Sequence, residues 1–250
     1  MTHLTPIGSS LSKINQLTKP IALTCDRTLP VIEELAGLFG DRGIRRGSTI
    51  GVVGDAAVSL AVALTIGVSR FGGWVVAVGL PSFGSQAASE LGAELSRWAF
   101  VDRPGNQAGD VVHALVASVD LVLVGPGIKL RADHERKIVA RMRERETSVV
   151  AIGSSHPFGS RADINLRITR TTWTGIGSGR GRLTSRRVEV EATGRGAHAG
   201  LRRQRLWLPD GQGQLSVIDQ SDGQTNSSRR IHGENKKAFA ELTEPALRAS

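Results

Sequence analysis

Thr49-Ile50-Gly51-Val52-Val53-Gly54-Asp55-Ala56-Ala57-Val58-Ser59 is the stretch on which the architecture turns. Thr49 to Val53 is a short, largely β-branched run bounded by glycine, which predicts a buried strand. The apolar segment that follows, Ala56 to Phe71, is too long for one strand and reads as a buried helix ended by Gly72-Gly73. Strand, glycine and helix in this order is where a phosphate-binding loop sits. In the G-x-x-x-x-G-K-[ST] frame that opens on Gly51, the second glycine falls on Ala56, the lysine on Ala57 and the hydroxyl residue on Val58. A working loop needs an ammonium to neutralise the β and γ phosphates and a hydroxyl to hold Mg²⁺, and methyl and isopropyl groups supply neither. Gly54 and Asp55 fall at x positions inside this degenerate loop, and Asp55 adds a negative charge where phosphates would lie. On position alone, an ordinary βα turn reads the same way.

Working outward, Leu29, Ile32, Leu35, Ala36 and Phe39 share one helical face, with Pro30 in the first turn and Gly40 at the end, which predicts a helix over 29–39. Gly43 to Ser48 is a turn. Downstream, Trp74 to Val78, Trp98 to Val101, Val119 to Val124 and Ser148 to Ile152 read as strands. They alternate with helical segments at 86–95, 110–117 and 133–145. This alternation predicts βαβ units, hence an α/β fold with a mostly parallel sheet flanked by helices. After about residue 160, Ile164, Leu166 and Ile168, then Val188 and Val190, then Leu206 and Leu208 alternate with polar residues. That is the pattern of antiparallel strands with one solvated face, here at the C-terminal end of the core. The predicted organisation is a flexible arm over 1–28, one domain over 29–209, and a disordered tail over 210–250 rich in Gln, Ser, Asp, Gly and charge.

The chain has 250 residues, 40% of them hydrophobic, enough for one sizeable core. The sequence lacks an apolar run near 20 residues and an apolar leader segment near its start, which predicts a cytoplasmic protein with no membrane association. The net charge of +9 points to an anionic partner or an acidic protein surface. Cys25 is the single cysteine, so an internal disulfide is excluded and a structural thiol expected.

Other candidate sites carry less. Gly175, Gly177, Gly179 and Gly181 never give G-x-G-x-x-G opening a helix and read as a hairpin. Asp133-His134-Glu135 are consecutive and cannot converge as metal ligands on one helix face, so no metal is expected. Ser154-Ser155-His156 lacks the G-x-S-x-G elbow and an acidic partner. The arginine-rich stretch between Arg161 and Arg205 is stronger. Arg180, Arg182, Arg186, Arg187, Arg202 and Arg203 are candidate nucleic-acid or partner contacts, read first as a solvated or protein-binding surface and second as a DNA surface. Ile32, Leu35 and Phe39 form a candidate partner-docking helix, with packing on the sheet as the alternative.

Taken in order, these elements resemble the RecA core. Arg42 to Gly54 followed by Ser59 to Gly67 is similar to its first strand, phosphate loop and helix, Trp74 to Gly92 to its second strand and helix, and Val119 to Val124 to the Walker B strand. In that frame the water-activating glutamate falls on Leu80 and the Walker B acidic residue on Gly125. The resemblance covers about residues 40 to 208. Within RecA-like proteins the chain most resembles the actinobacterial ImuA′-type accessory proteins, through Gly79-Leu80-Pro81, Glu90-Leu91-Gly92, Trp173 before a glycine-rich turn, Arg186-Arg187-Val188-Glu189-Val190 and Leu206-Trp207-Leu208-Pro209. The resemblance implies a RecA-like fold without cofactor or catalysis. It also implies a place in the damage-induced mutasome of translesion synthesis, beside an ImuB-like Y-family polymerase homologue and, through it, an error-prone C-family DNA polymerase. A RecA-like DNA-binding protein or a weak nucleotide-dependent recombinase is the alternative.

Overall fold

The computed structural model describes residues 28–40, 43–153, 158, 162–176, 181–195 and 199–218. The strands are β1 (Thr28–Leu29), β2 (Ile44–Arg45), β3 (Thr49–Val53), β4 (Val75–Val78), β5 (Trp98–Val101), β6 (Leu121–Val124) and β7 (Ser148–Ile152), followed by β8 (Ile164–Ile176), β9 (Gly181–Gly194), β10 (Gly200–Trp207) and β11 (Ser216–Val217). The α-helices are α1 (Glu33–Phe39), α2 (Ala57–Arg70), α3 (Ser85–Glu90), α4 (Ala108–Leu115) and α5 (Ala132–Arg145). Nine strands form one sheet in the order β11-β10-β9-β8-β3-β7-β6-β4-β5, while β1 and β2 pair apart from it.

From β8 through β3 to β5 every pairing is parallel. From β8 to β11 every pairing is antiparallel. Both follow from the two hydrophobic patterns: continuous apolar runs such as Leu121–Val124 bury both faces, whereas alternating runs bury one. One face of the sheet carries α1 and α2, with Leu60, Leu64, Val150, Leu166, Val188 and Leu206 in one continuous core. The other carries α4 and α5, whose Val112, Ile138 and Met142 pack on Val76, Val122 and Val149. That second layer stops at β7, so the corresponding face of β8, β9 and β10 is left to solvent, as its exposed Arg167, Arg203 and Arg205 show.

Two expectations are corrected. The helix expected over 29–39 begins at Glu33, and Leu29 lies in β1 opposite Ile44. Leu29 precedes Pro30, and the proline ring disfavours helical backbone at the residue before it. Gly40 ends the helix in the left-handed region, φ 64°, as its position suggests. The apolar face of α1 is not free for a partner. Leu35 and Phe39 are fully buried and Ile32 packs against the same core, while the Gln204 side-chain amide of β10 donates to the Glu34 carbonyl at 2.7 Å.

The second correction concerns the tail expected from residue 210. Asp210 to Ile218 continues the fold: Asp210 Oδ1 accepts from the Gln212 and Gln214 amides at 2.8 and 3.0 Å, and β11 then pairs with Leu206 and Trp207. Thr28 likewise belongs to β1, not to an arm. The arm over 1–27, with Cys25, and the stretch 219–250 lie outside the described residues, as do Ser154, Ser155 and His156. No helix among the described residues is long and apolar enough to cross a membrane.

Candidate phosphate-loop site

The loop after β3 is short. Gly51 sits in the middle of the strand, paired with Ala151 on β7 and Asn165 on β8, so it is not the glycine that opens a phosphate cradle. Only Gly54, Asp55 and Ala56 separate β3 from α2. Gly54 has φ 117°, and a Cβ there would stand 2.7 Å from Ile168 Cβ and 2.8 Å from the Ile168 carbonyl oxygen, so the loop is pressed onto β8. The Ala57 amide donates to the Gly54 carbonyl at 3.1 Å, which closes the turn on itself.

The positions where nucleotide chemistry would be carried are filled by packing. Ala56 and Ala57 point into the core, at 2% and 6% exposure, and Val58 turns outward. Leu80 is buried after β4. Gly125 follows β6 and donates its amide to the Val78 carbonyl at 2.8 Å. A Cβ on Gly125 would stand 2.0 Å from the Gly79 carbonyl oxygen and 3.2 Å from Leu80 Cδ2, so an aspartate does not fit at the Walker B position without moving backbone. Among the described residues, no three His, Cys, Asp or Glu side chains are grouped to hold a metal ion.

Arg186 is the residue that sequence reasoning placed on the wrong surface. It alternates in register with buried Val188 and Val190 on β9, so its side chain points to the α2 side of the sheet and not to solvent. Its Nε donates to the Leu208 carbonyl at 2.7 Å, and its Nη2 donates to Ser59 Oγ in the first turn of α2 at 2.6 Å. The guanidinium lies over the Trp173 ring, 4.9 Å from its centroid. Burial pushes the Arg186 pKa down from the ordinary arginine range. The strand alternation itself was the available signal, since an arginine on the apolar parity of a strand must find buried acceptors.

The other candidate arginines do not form one patch. Arg180 lies outside the described residues. Arg182 is exposed near the end of the β8–β9 hairpin. Arg202, half-buried on the inner parity of β10, lies against Gly40 at the end of α1. Arg187 and Arg203 are on the outer parity, in ion pairs with Glu189 at 3.9 Å and Glu191 at 2.7 Å. A cavity of about 330 Å³ lies at the opposite end of β3, lined by Thr49, Arg136, Arg143, Phe158 and Asp163 among others. There the Asp163 carboxylate accepts from the Thr49 amide and hydroxyl at 2.8 and 2.9 Å.

Sheet order, crossovers and the strand–loop–helix unit define a RecA-like α/β core. The chain is similar to the crystal structure of the RadB recombinase, with a TM-score of 0.53 at 16% identity over 75% of this chain and 97% of that one. Residues 37–157 match the model of the MT3502 N-terminal domain. The chain is also 32% identical over 152 residues to the uncharacterized protein Rv3395c of Mycobacterium tuberculosis, a match that spans 59% of this chain and 74% of that protein. It belongs to the same family as this mycobacterial protein.

Proposed function

We propose that the protein is a non-catalytic RecA-like accessory protein of DNA damage tolerance, an ImuA′-type adaptor that supports error-prone translesion synthesis by binding an ImuB-like polymerase homologue. The observation that carries the loss of catalysis is the filled nucleotide site: Ala57 buried, Val58 without a hydroxyl, Leu80 buried and Gly125 without room for a side chain. Each would have to change together for ATP and Mg²⁺ to be held, because phosphoryl transfer depends on charges placed at once around one phosphate. Kinship with a mycobacterial protein supports the actinobacterial setting, and the RecA-like core supports a role around DNA.

An adaptor is tested by co-purifying the full chain with an ImuB-like protein expressed beside it, and by titrating the chain with ATP and Mg²⁺. Capture of the polymerase homologue without measurable nucleotide affinity is the expected result. Micromolar ATP affinity, or turnover lost on changing Ala56 to Val58, would replace the adaptor with a nucleotide-dependent recombinase.

A further inference from the structure

The uncovered face of β8, β9 and β10 is ordered in rows. Strand register places Arg167, Glu191 and Arg203 side by side, then Arg170, Glu189 and Arg205, then Thr172, Arg187 and Trp207. Every glutamate is therefore flanked by an arginine on each neighbouring strand. Glu191 holds Arg203 at 2.7 Å, and Glu189 holds Arg205 at 3.5 Å and Arg187 at 3.9 Å. Arg167 and Arg170 are exposed and enter no ion pair among the described residues. Five arginines face two glutamates, so each row keeps one positive charge in excess, with rows about 6.8 Å apart along the strands. The bulge between Ile168 and Arg170 keeps Arg170 on this face.

We propose that this face binds the sugar-phosphate backbone of single-stranded DNA. A protein-binding patch has an apolar centre and a polar rim. Here the order is inverted: the centre is charged, while Leu201 lies in the last row at one end and Leu183 at the other. The cations are all guanidinium groups, whose planar forks match phosphate oxygens, and three of them are held in place by glutamate. Trp207, in the Arg187 row, offers a ring on which a base stacks. The three rows span three adjacent strands, a width that a duplex groove does not admit, and the two-stranded end of the β8–β9 hairpin lies beyond them. Its binding is independent of the polymerase-partner reading, since the isolated full chain suffices to measure it.

The experiment is fluorescence anisotropy of the full chain with a labelled oligothymidylate over a series of salt concentrations, with duplex DNA of equal length and polyglutamate as competitors. Binding should weaken steeply with salt. Arg167→Gln with Arg170→Gln should lower affinity about tenfold at low salt and flatten the log–log salt slope by about 1.4, two phosphates at roughly 0.7 each. Glu191→Gln should tighten binding, a change in the opposite direction that a loss of folding does not mimic. Binding that ignores these substitutions, weakens in Glu191→Gln, or is displaced as readily by polyglutamate or duplex as by unlabelled oligothymidylate overturns the proposal, as does the absence of binding at low salt.

Discussion

Replacing Arg186 by methionine keeps an unbranched apolar stem and removes only the guanidinium, which isolates what that group does. Two hydrogen bonds from a charged donor disappear, to the Leu208 carbonyl and to Ser59 Oγ, together with the stack on Trp173. A charged hydrogen bond contributes about 1.5–3 kcal/mol, and an orphaned buried acceptor costs about 1–3 kcal/mol. The cation–π contact contributes about 0.5–2 kcal/mol. Against these stands the relief of burying a cation with no carboxylate bonded to it among the described residues, which returns several kcal/mol. The balance is a net loss of about 2–3 kcal/mol, because the buried Leu208 carbonyl and the half-buried Ser59 hydroxyl lose a donor that methionine does not replace. At about 2–4 °C per kcal/mol for a domain of this size, the melting temperature should fall by about 4–12 °C. Scanning calorimetry of the wild type, Arg186→Met, Ser59→Ala and the double variant gives the answer as a cycle, with a Ser59–Arg186 coupling of about 0.5–3 kcal/mol. An Arg186→Met protein that melts at or above the wild-type temperature would refute the reasoning, because relief from burying the cation would then outweigh the hydrogen bonds lost.

Other positions give sharper signs. Gly67 lies inside α2, where alanine ordinarily stabilises by about 1 kcal/mol. A Cβ there would stand 2.4 Å from the Pro30 carbonyl oxygen, so Gly67→Ala should instead destabilise by about 1–3 kcal/mol in urea denaturation. Asp120→Ala removes the acceptor of both Arg46, at 3.0 Å, and the Trp74 amide, at 2.9 Å, and leaves a mostly buried cation behind. It should cost about 3–5 kcal/mol, read from the shift of the unfolding midpoint. Deleting residues 1–40 removes buried Leu29, Leu35, Leu38 and Phe39, worth roughly 6–12 kcal/mol together, and should give insoluble protein, seen by gel filtration. Ala57→Lys should produce no ATP turnover in a phosphate-release assay, since the lysine would arrive without a hydroxyl at Val58 or a carboxylate at Gly125.

Much of the parallel sheet was legible because its strands are short apolar runs, fully buried in β4, β6 and β7. Trp98–Val101 and Ser148–Ile152 lie where the pattern puts them, and α2 departs from its expected bounds by one residue at each end. What sequence could not supply was which face each alternating residue takes. Arg186 and Arg187 look like one basic pair, yet strand geometry sends the first under Trp173 and the second to the outer face beside Glu189. Nothing local in the sequence marks Arg167, Arg170 and Arg205, because it is cross-strand register that joins them to Glu189 and Glu191. The apolar stripe of α1 was legible as amphipathic, but only the long antiparallel strands, brought back across 170 positions to Gln204 and Glu34, show what covers it.

The filled loop and the buried arginine are two sides of one change. A phosphate loop keeps its helix N-terminus open, because the free amides of the first turn and a lysine must reach an anion. In this chain Ala56 and Ala57 turn those positions inward and Gly54 brings the backbone against Ile168. A cation does reach the first turn of α2, but from β9, and it is consumed by Ser59 Oγ and the Leu208 carbonyl. That arrangement ties the antiparallel end of the sheet to α2 through side chains where a nucleotide-binding relative would need room for a ligand.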